Sequence, residues 1–82
     1  MNDNDRQELL AQLEHLKSLA ERAYGDMYET GSASGAAACY SEARVCYRDA
    51  IRVAAELDLP HEAETLNQQM GLLAAAFRGQ FG

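Results

Sequence analysis

The chain of 82 residues has a single proline, no tryptophan and only six aromatic residues, two phenylalanines and four tyrosines. Positive charge is also scarce, because seven Lys and Arg face 13 Asp and Glu and the formal net charge is −6. General binding to nucleic acid or to an anionic membrane surface needs a basic face. The composition therefore predicts neither of these partners.

Long apolar runs are absent as well, since no uninterrupted stretch approaches the roughly 20 residues that would span a bilayer. The N-terminal sequence MNDNDRQELL lacks the basic region and apolar core of a secretory signal. We therefore expect a cytoplasmic protein. The two cysteines, Cys39 and Cys46, are seven residues apart, which is about 10 Å on a helix and too far for a disulfide. They are expected to be reduced core residues.

What the chain does contain is a repeated apolar spacing with alternating steps of three and four residues. The first stretch is Leu9, Leu13, Leu16, Ala20, Ala23 and Met27. The second is Cys39, Ala43, Cys46, Ala50, Val53 and Leu57, and the third is Ala63, Leu66, Met70, Leu73 and Phe77. Such steps keep side chains on one face of an α-helix, so each stretch predicts an amphipathic helix.

Three helices with one apolar face each can bury those faces only against one another. We predict an all-α fold, a three-helix antiparallel bundle with a long first helix, as one helical domain over residues 1–82. The helices are expected at about 5–29, 35–57 and 60–78, with a turn at 30–35 reading TGSASG. The second helix has the smallest apolar side chains and is expected to lie between the other two.

Local signals place the boundaries of these helices. Asp5 and Glu8 have capping-box spacing at the start of the first helix. Asp58 is expected to cap the third helix, and Gly79 is expected to end it. Phe81 is expected to fold back on the last helical turn.

The spacing Ala43-x-x-x-Tyr47-x-x-Ala50 resembles the second helix of a tetratricopeptide repeat, and Met70-Gly71 resembles the large-then-small pair of a following repeat. The resemblance implies a tetratricopeptide-like helical hairpin that holds a peptide in a groove between helices. Arrays of such repeats normally contain about three units, and this chain holds fewer than two.

The segment YSEARVCYRDAI is similar to the middle helix of the three-helix domains found in microtubule-interacting and trafficking proteins. That resemblance also implies binding of a peptide or helix without catalysis.

The candidate partner-binding surface lies on the second helix, where three arginines recur every four residues. On a helical wheel, aromatic and aliphatic residues fall between these arginines and the apolar face, a composition common at protein interfaces. The candidate residues are Arg44, Arg48, Arg52, Tyr40, Tyr47 and Ile51. An acidic peptide, an acidic helix or a terminal carboxylate would suit this strip. Alternatively, the arginines pair inside the bundle with acids of the other helices: Glu14, Glu21, Asp26, Glu29, Glu62 and Glu64.

Nothing in the sequence indicates catalysis, a cofactor or a metal ion. His15 and His61 have no metal-ligand partner at suitable spacing, and no paired acid and base stands out. We therefore predict a small non-catalytic interaction module, an adaptor or a regulatory subunit. One alternative is a structural homodimer through the first helix, whose apolar face is widened by Leu10, Leu19, Tyr24 and Tyr28. Another is an acidic inhibitor of a basic partner.

Overall fold

The computed structural model describes residues 2–80, which form three α-helices. They are α1 (Asp3–Glu29), α2 (Ala33–Glu56) and α3 (Pro60–Gln80). The predicted all-α bundle with a long first helix is confirmed, and residues 2–80 contain no strand. The Cα atoms extend over 46 × 18 × 13 Å. The central helix is α2, which packs along both α1 and α3, whereas α1 and α3 meet each other only narrowly.

The core consists of the three predicted apolar faces. Every residue of those faces is either buried or packed against the buried cluster. Many of the buried residues are alanines, which let the helix backbones approach closely. Three further residues of α2, Ala36, Tyr47 and Ala54, are also buried. They are buried because a helix with two neighbours covers a wider arc than a single apolar face.

The start of α1 lies two residues earlier than predicted. Asn2 is the N-cap, and its Oδ1 accepts a hydrogen bond of 2.8 Å from the Asp5 N–H. The proposed capping box of Asp5 and Glu8 was therefore wrong, because Asn2 already satisfies one of the free N–H groups of the first turn.

The start of α2 is also two residues earlier than expected. Ser32 is the N-cap, and its Oγ accepts a hydrogen bond of 3.0 Å from the Gly35 N–H. The connection between α1 and α2 therefore covers only residues 30–32 instead of 30–35. This short connection makes the two helices an antiparallel hairpin.

The corner between α2 and α3 is a Schellman motif. Asp58 has a left-handed backbone conformation with φ 57°. Its N–H donates to the Ala55 carbonyl at 3.1 Å, and the Leu59 N–H donates to the Ala54 carbonyl at 2.9 Å. The Ala63 N–H of α3 donates to the Leu59 carbonyl at 3.0 Å. Asp58 thus ends α2 and, contrary to the prediction, is not the residue that caps α3.

The last helix continues past its predicted end. Gly79 is helical with a negative φ, and α3 runs to Gln80. The prediction that Gly79 stops the helix was wrong, because a glycine stops a helix only where it takes a left-handed conformation. The predicted folding back of Phe81 lies outside the described residues.

Two polar contacts tie the helices together near the α2–α3 corner. Arg6 Nη1 of α1 donates to the Leu57 carbonyl at 3.5 Å. Lys17 of α1 forms a salt bridge with Glu62 of α3. The hydrogen bond to Glu62 raises the pKa of the Lys17 ammonium, against the opposing effect of burial. This end of the bundle is therefore fastened across all three helices.

None of the helices within residues 2–80 has the length and apolar character needed to cross a membrane.

Candidate functional site

A cavity of about 380 Å³ lies between α2 and α3, and it is called the α2–α3 groove below. The lining residues are Tyr40, Arg44, Asn67, Met70, Gly71 and Ala74. The exposed residues Arg44, Asn67 and Gly71 form its rim. The half-buried residues Tyr40, Met70 and Ala74 form its walls. The groove therefore combines an apolar interior with one cationic and one amide side chain at its mouth.

Tyr40 is held in place by an aromatic contact with α3. Its ring stacks on that of Phe77, with centroids 4.4 Å apart and an angle of 11° between the planes. Phe77 is half-buried and packs against the core. The Tyr40 ring is therefore a preformed wall of the groove and not a side chain free to fold into it.

Gly71 has no packing role that would explain a glycine in the middle of α3. A Cβ built on this residue meets no heavy atom within 4 Å outside its own helix backbone and chain neighbours. A glycine inside a helix costs about 0.5–1 kcal/mol relative to alanine. A Cβ at this position would stand in open space at the rim of the groove.

The three arginines of α2 do not pair with the acids of the other helices. Arg52 contacts Asp49 of its own helix at 3.9 Å, while Arg44 and Arg48 make no salt bridge within residues 2–80. In that part of the chain, Lys17 and Glu62 form the sole salt bridge that joins two helices. The alternative of internal pairing is therefore not observed for any of the three arginines.

The predicted strip does not form one continuous surface. Tyr47 is only 3% exposed and belongs to the core. Burial raises the pKa of its hydroxyl, and Glu21 and Tyr24 of α1 add to this effect. Ile51 is half-buried and packs against the core. The expectation of an accessible Tyr47 was wrong, because α2 buries the arc that faces the gap between its two neighbours.

The sequence pattern did not identify the α3 side of the groove as a binding surface. Asn67, Met70, Gly71 and Ala74 follow one another at helical spacing, which brings them to one side of α3. The unexplained glycine in the middle of a helix was the available signal. Which residues of α2 lie opposite this glycine depends on how α2 and α3 pack. The sequence alone does not specify that packing.

The apolar face of α1 is wider than α2 alone covers. Leu19 and Tyr24 pack against the core, whereas Leu10 is 38% and Tyr28 45% exposed. The rings of Tyr24 and Tyr28 stack with centroids 6.0 Å apart. Burial and a hydrogen bond with Tyr28 raise the pKa of Tyr24. Leu10 and Tyr28 are thus the large side chains of this face that α2 leaves exposed.

The histidines and cysteines of residues 2–80 do not form a metal site. His15 and His61 are both exposed, and no group of three His, Cys, Asp or Glu side chains converges there on a metal position. Cys39 is half-buried and Cys46 is buried, and both are free thiols. Burial raises the pKa of the Cys46 thiol, and the negative charges of Glu42 and Asp49 add to this effect.

No model of a known protein family matches the chain, and neither a curated protein nor a solved structure is significantly similar to it. The resemblances to tetratricopeptide repeats and to microtubule-interacting and trafficking domains therefore stay predictions.

Proposed function

We propose that this protein is a non-catalytic interaction module that binds a segment of a partner protein in the α2–α3 groove. An adaptor or a small regulatory subunit would act in this way. The carrying observation is that Arg44, which has no salt bridge within residues 2–80, stands at the mouth of a preformed cavity. An arginine beside apolar surface is a composition typical of protein–protein interfaces.

The aromatic wall supports the same proposal. Tyr and Arg are enriched among the residues that dominate binding energy at protein interfaces. Because Tyr40 already stacks on Phe77, little conformational entropy is lost when a partner packs against it. Met70 adds a flexible side chain that adapts to the shape of a bound residue.

The test uses two alanines of α3 that differ in position and not in chemistry. Ala74 lines the groove, and its neighbour Ala75 is exposed outside it. Wild-type protein, Ala74→Leu and Ala75→Leu serve as baits for affinity capture from cell lysate, with identification by mass spectrometry. We expect a protein retained by the wild type and by Ala75→Leu to be lost with Ala74→Leu.

Far-UV circular dichroism and thermal unfolding of all three baits establish that the leucines leave the bundle folded. Equal recovery of every captured protein by the two variants would place the binding site elsewhere and refute the proposal.

Self-association through α1 is the second candidate, because Leu10 and Tyr28 are both exposed. They lie about five turns apart on one face, since about 3.6 residues make a turn. Light scattering at micromolar concentration tests this candidate, and a monomeric mass would count against it. Leu10→Ser would convert a dimer to a monomer.

A further inference from the structure

The α2–α3 groove carries a charge that contrasts with the rest of the molecule. The chain has a net charge of −6, yet Arg44 at the mouth of the groove and Arg48 one turn further along α2 make no salt bridge within residues 2–80. An arginine has five N–H donors, and it pairs best with a planar carboxylate through two parallel hydrogen bonds. Two neighbouring arginines on an acidic protein therefore form a local site for anions.

The interior of the groove adds a second requirement. Its volume of about 380 Å³ lies near the lower end of the range for small-molecule pockets, roughly 300–1,000 Å³. Met70, Ala74 and the ring of Tyr40 offer apolar contacts, whereas a glycine at the rim leaves room for an approaching backbone. This space has room for an aliphatic side chain of an occupant whose main chain stays outside.

We infer that the occupant is an acidic segment of another protein, with a carboxylate bound by Arg44 and an adjacent aliphatic side chain in the groove. This inference rests on the proposed function and names the chemistry of the partner. Arg48 extends the cationic surface by one helical turn and so favours a second acidic residue in the segment. Asn67 at the rim supplies an amide that can donate to and accept from the main chain of the segment.

The overall charge argues against larger polyanions as occupants. A nucleic acid or an anionic membrane would bring many phosphates near a protein whose net charge is −6. A short acidic segment brings only a few charges, so Arg44 and Arg48 can balance them. The local charge of the groove therefore selects a compact anionic partner.

The experiment selects ligands from a phage-displayed library of random linear peptides on the immobilised full chain. Enriched peptides are then synthesised with a fluorescent label, and their affinities are measured by anisotropy for the wild type and four variants. Arg44→Glu reverses the charge at the groove, and Arg44→Gln only removes it. Arg22→Glu on the exposed surface of α1 is the matched control, because each reversal changes the net charge from −6 to −8. Ala74→Leu adds three carbon atoms to the wall of the groove and so narrows it.

We expect the enriched peptides to combine Asp or Glu with a neighbouring Leu, Ile, Val or Met. Their affinity should fall about tenfold or more with Arg44→Glu, less with Arg44→Gln, and hardly with Arg22→Glu. Raising the salt concentration from about 0.05 M to about 0.5 M should weaken binding for the wild type, because the ion pair is screened.

The remaining outcomes separate this inference from the proposed function. Peptides that lack acidic residues but lose binding with Ala74→Leu would overturn the inference and leave the groove as a binding site. Peptides whose affinity is unchanged by Ala74→Leu, or no enrichment of peptides at all, would overturn both the inference and the proposed function. A wild-type dimer that becomes monomeric with Ala74→Leu would identify a second copy of the chain as the occupant and refute the inference.

Discussion

Replacing Gly71 by alanine should stabilise the fold while it weakens binding in the groove. A new Cβ at this position meets no heavy atom within 4 Å, so neither a clash nor a buried contact contributes. What remains is the intrinsic difference between glycine and alanine inside a helix, about 0.5–1 kcal/mol. For a domain of this size, 1 kcal/mol raises the melting temperature by about 4–8 °C.

Gly25 of α1 provides the matched control for this prediction. A Cβ there also meets nothing within 4 Å, and the residue is exposed and helical but distant from the groove. Gly25→Ala should therefore give a similar stabilisation. Peptides selected on the wild type should bind more weakly to Gly71→Ala, because its methyl group occupies the rim, and equally well to Gly25→Ala.

Urea unfolding followed by circular dichroism measures the first effect, and fluorescence anisotropy measures the second. A Gly71→Ala variant that is less stable than the wild type, beside a stabilised Gly25→Ala, would show that the glycine is needed for packing. Gly71 would then have a packing role, and an open rim would not explain why a glycine stands there.

Three other changes probe the core, the titrating groups and the corner. Leu73→Ala should cost about 2–5 kcal/mol of unfolding free energy, because Leu73 is 0% exposed. The neighbouring Leu72 is 63% exposed, so Leu72→Ala should change the unfolding free energy by no more than about 0.5 kcal/mol. Equal losses for the two variants in denaturant titrations would contradict the burial of Leu73. Stability should fall as the pH rises above 9, because the folded state holds protons that the unfolded state releases. Burial raises the pKa of Cys46 above its ordinary 9.0 and that of Tyr47 above its ordinary 10.0, so Cys46 contributes first. Melting temperatures between about pH 7 and 10.5 test this, and Cys46→Ala should reduce the early part of the loss, whereas a flat or rising profile would refute it. Asp58→Gly should stabilise by about 0.5–1 kcal/mol, because glycine adopts the left-handed conformation of φ 57° without steric cost, and a lowered urea midpoint would count against that reason.

The helices could be predicted because their apolar spacing is a property of each segment alone. Their ends were less predictable, since Asn2 and Ser32 cap the helices from positions outside the apolar pattern. Asp58 illustrates a different limit. An aspartate after a helix suits both the end of one helix and the cap of the next, and the backbone conformation decides between them.

The candidate site was predictable only for the part that lies on one helix. The spacing of Arg44 and Arg48 places them on neighbouring turns in any helical fold. The groove itself also depends on the packing of α3 against α2, which brings Asn67 and Ala74 opposite Tyr40. No local pattern encodes that register. Tyr47 shows the same limit, because its burial follows from the presence of two neighbouring helices.

The position of α2 between its two neighbours has a consequence for local unfolding. Only two residues of α3 are fully buried, Leu66 and Leu73, and α3 docks almost wholly on α2. We therefore expect α3 to open at a lower free energy than the α1–α2 hairpin. If a partner binds the groove as proposed, it requires a docked α3, and its binding would suppress this opening. Amide hydrogen exchange in α3 would then report occupancy of the groove, and exchange in α1 would stay unchanged.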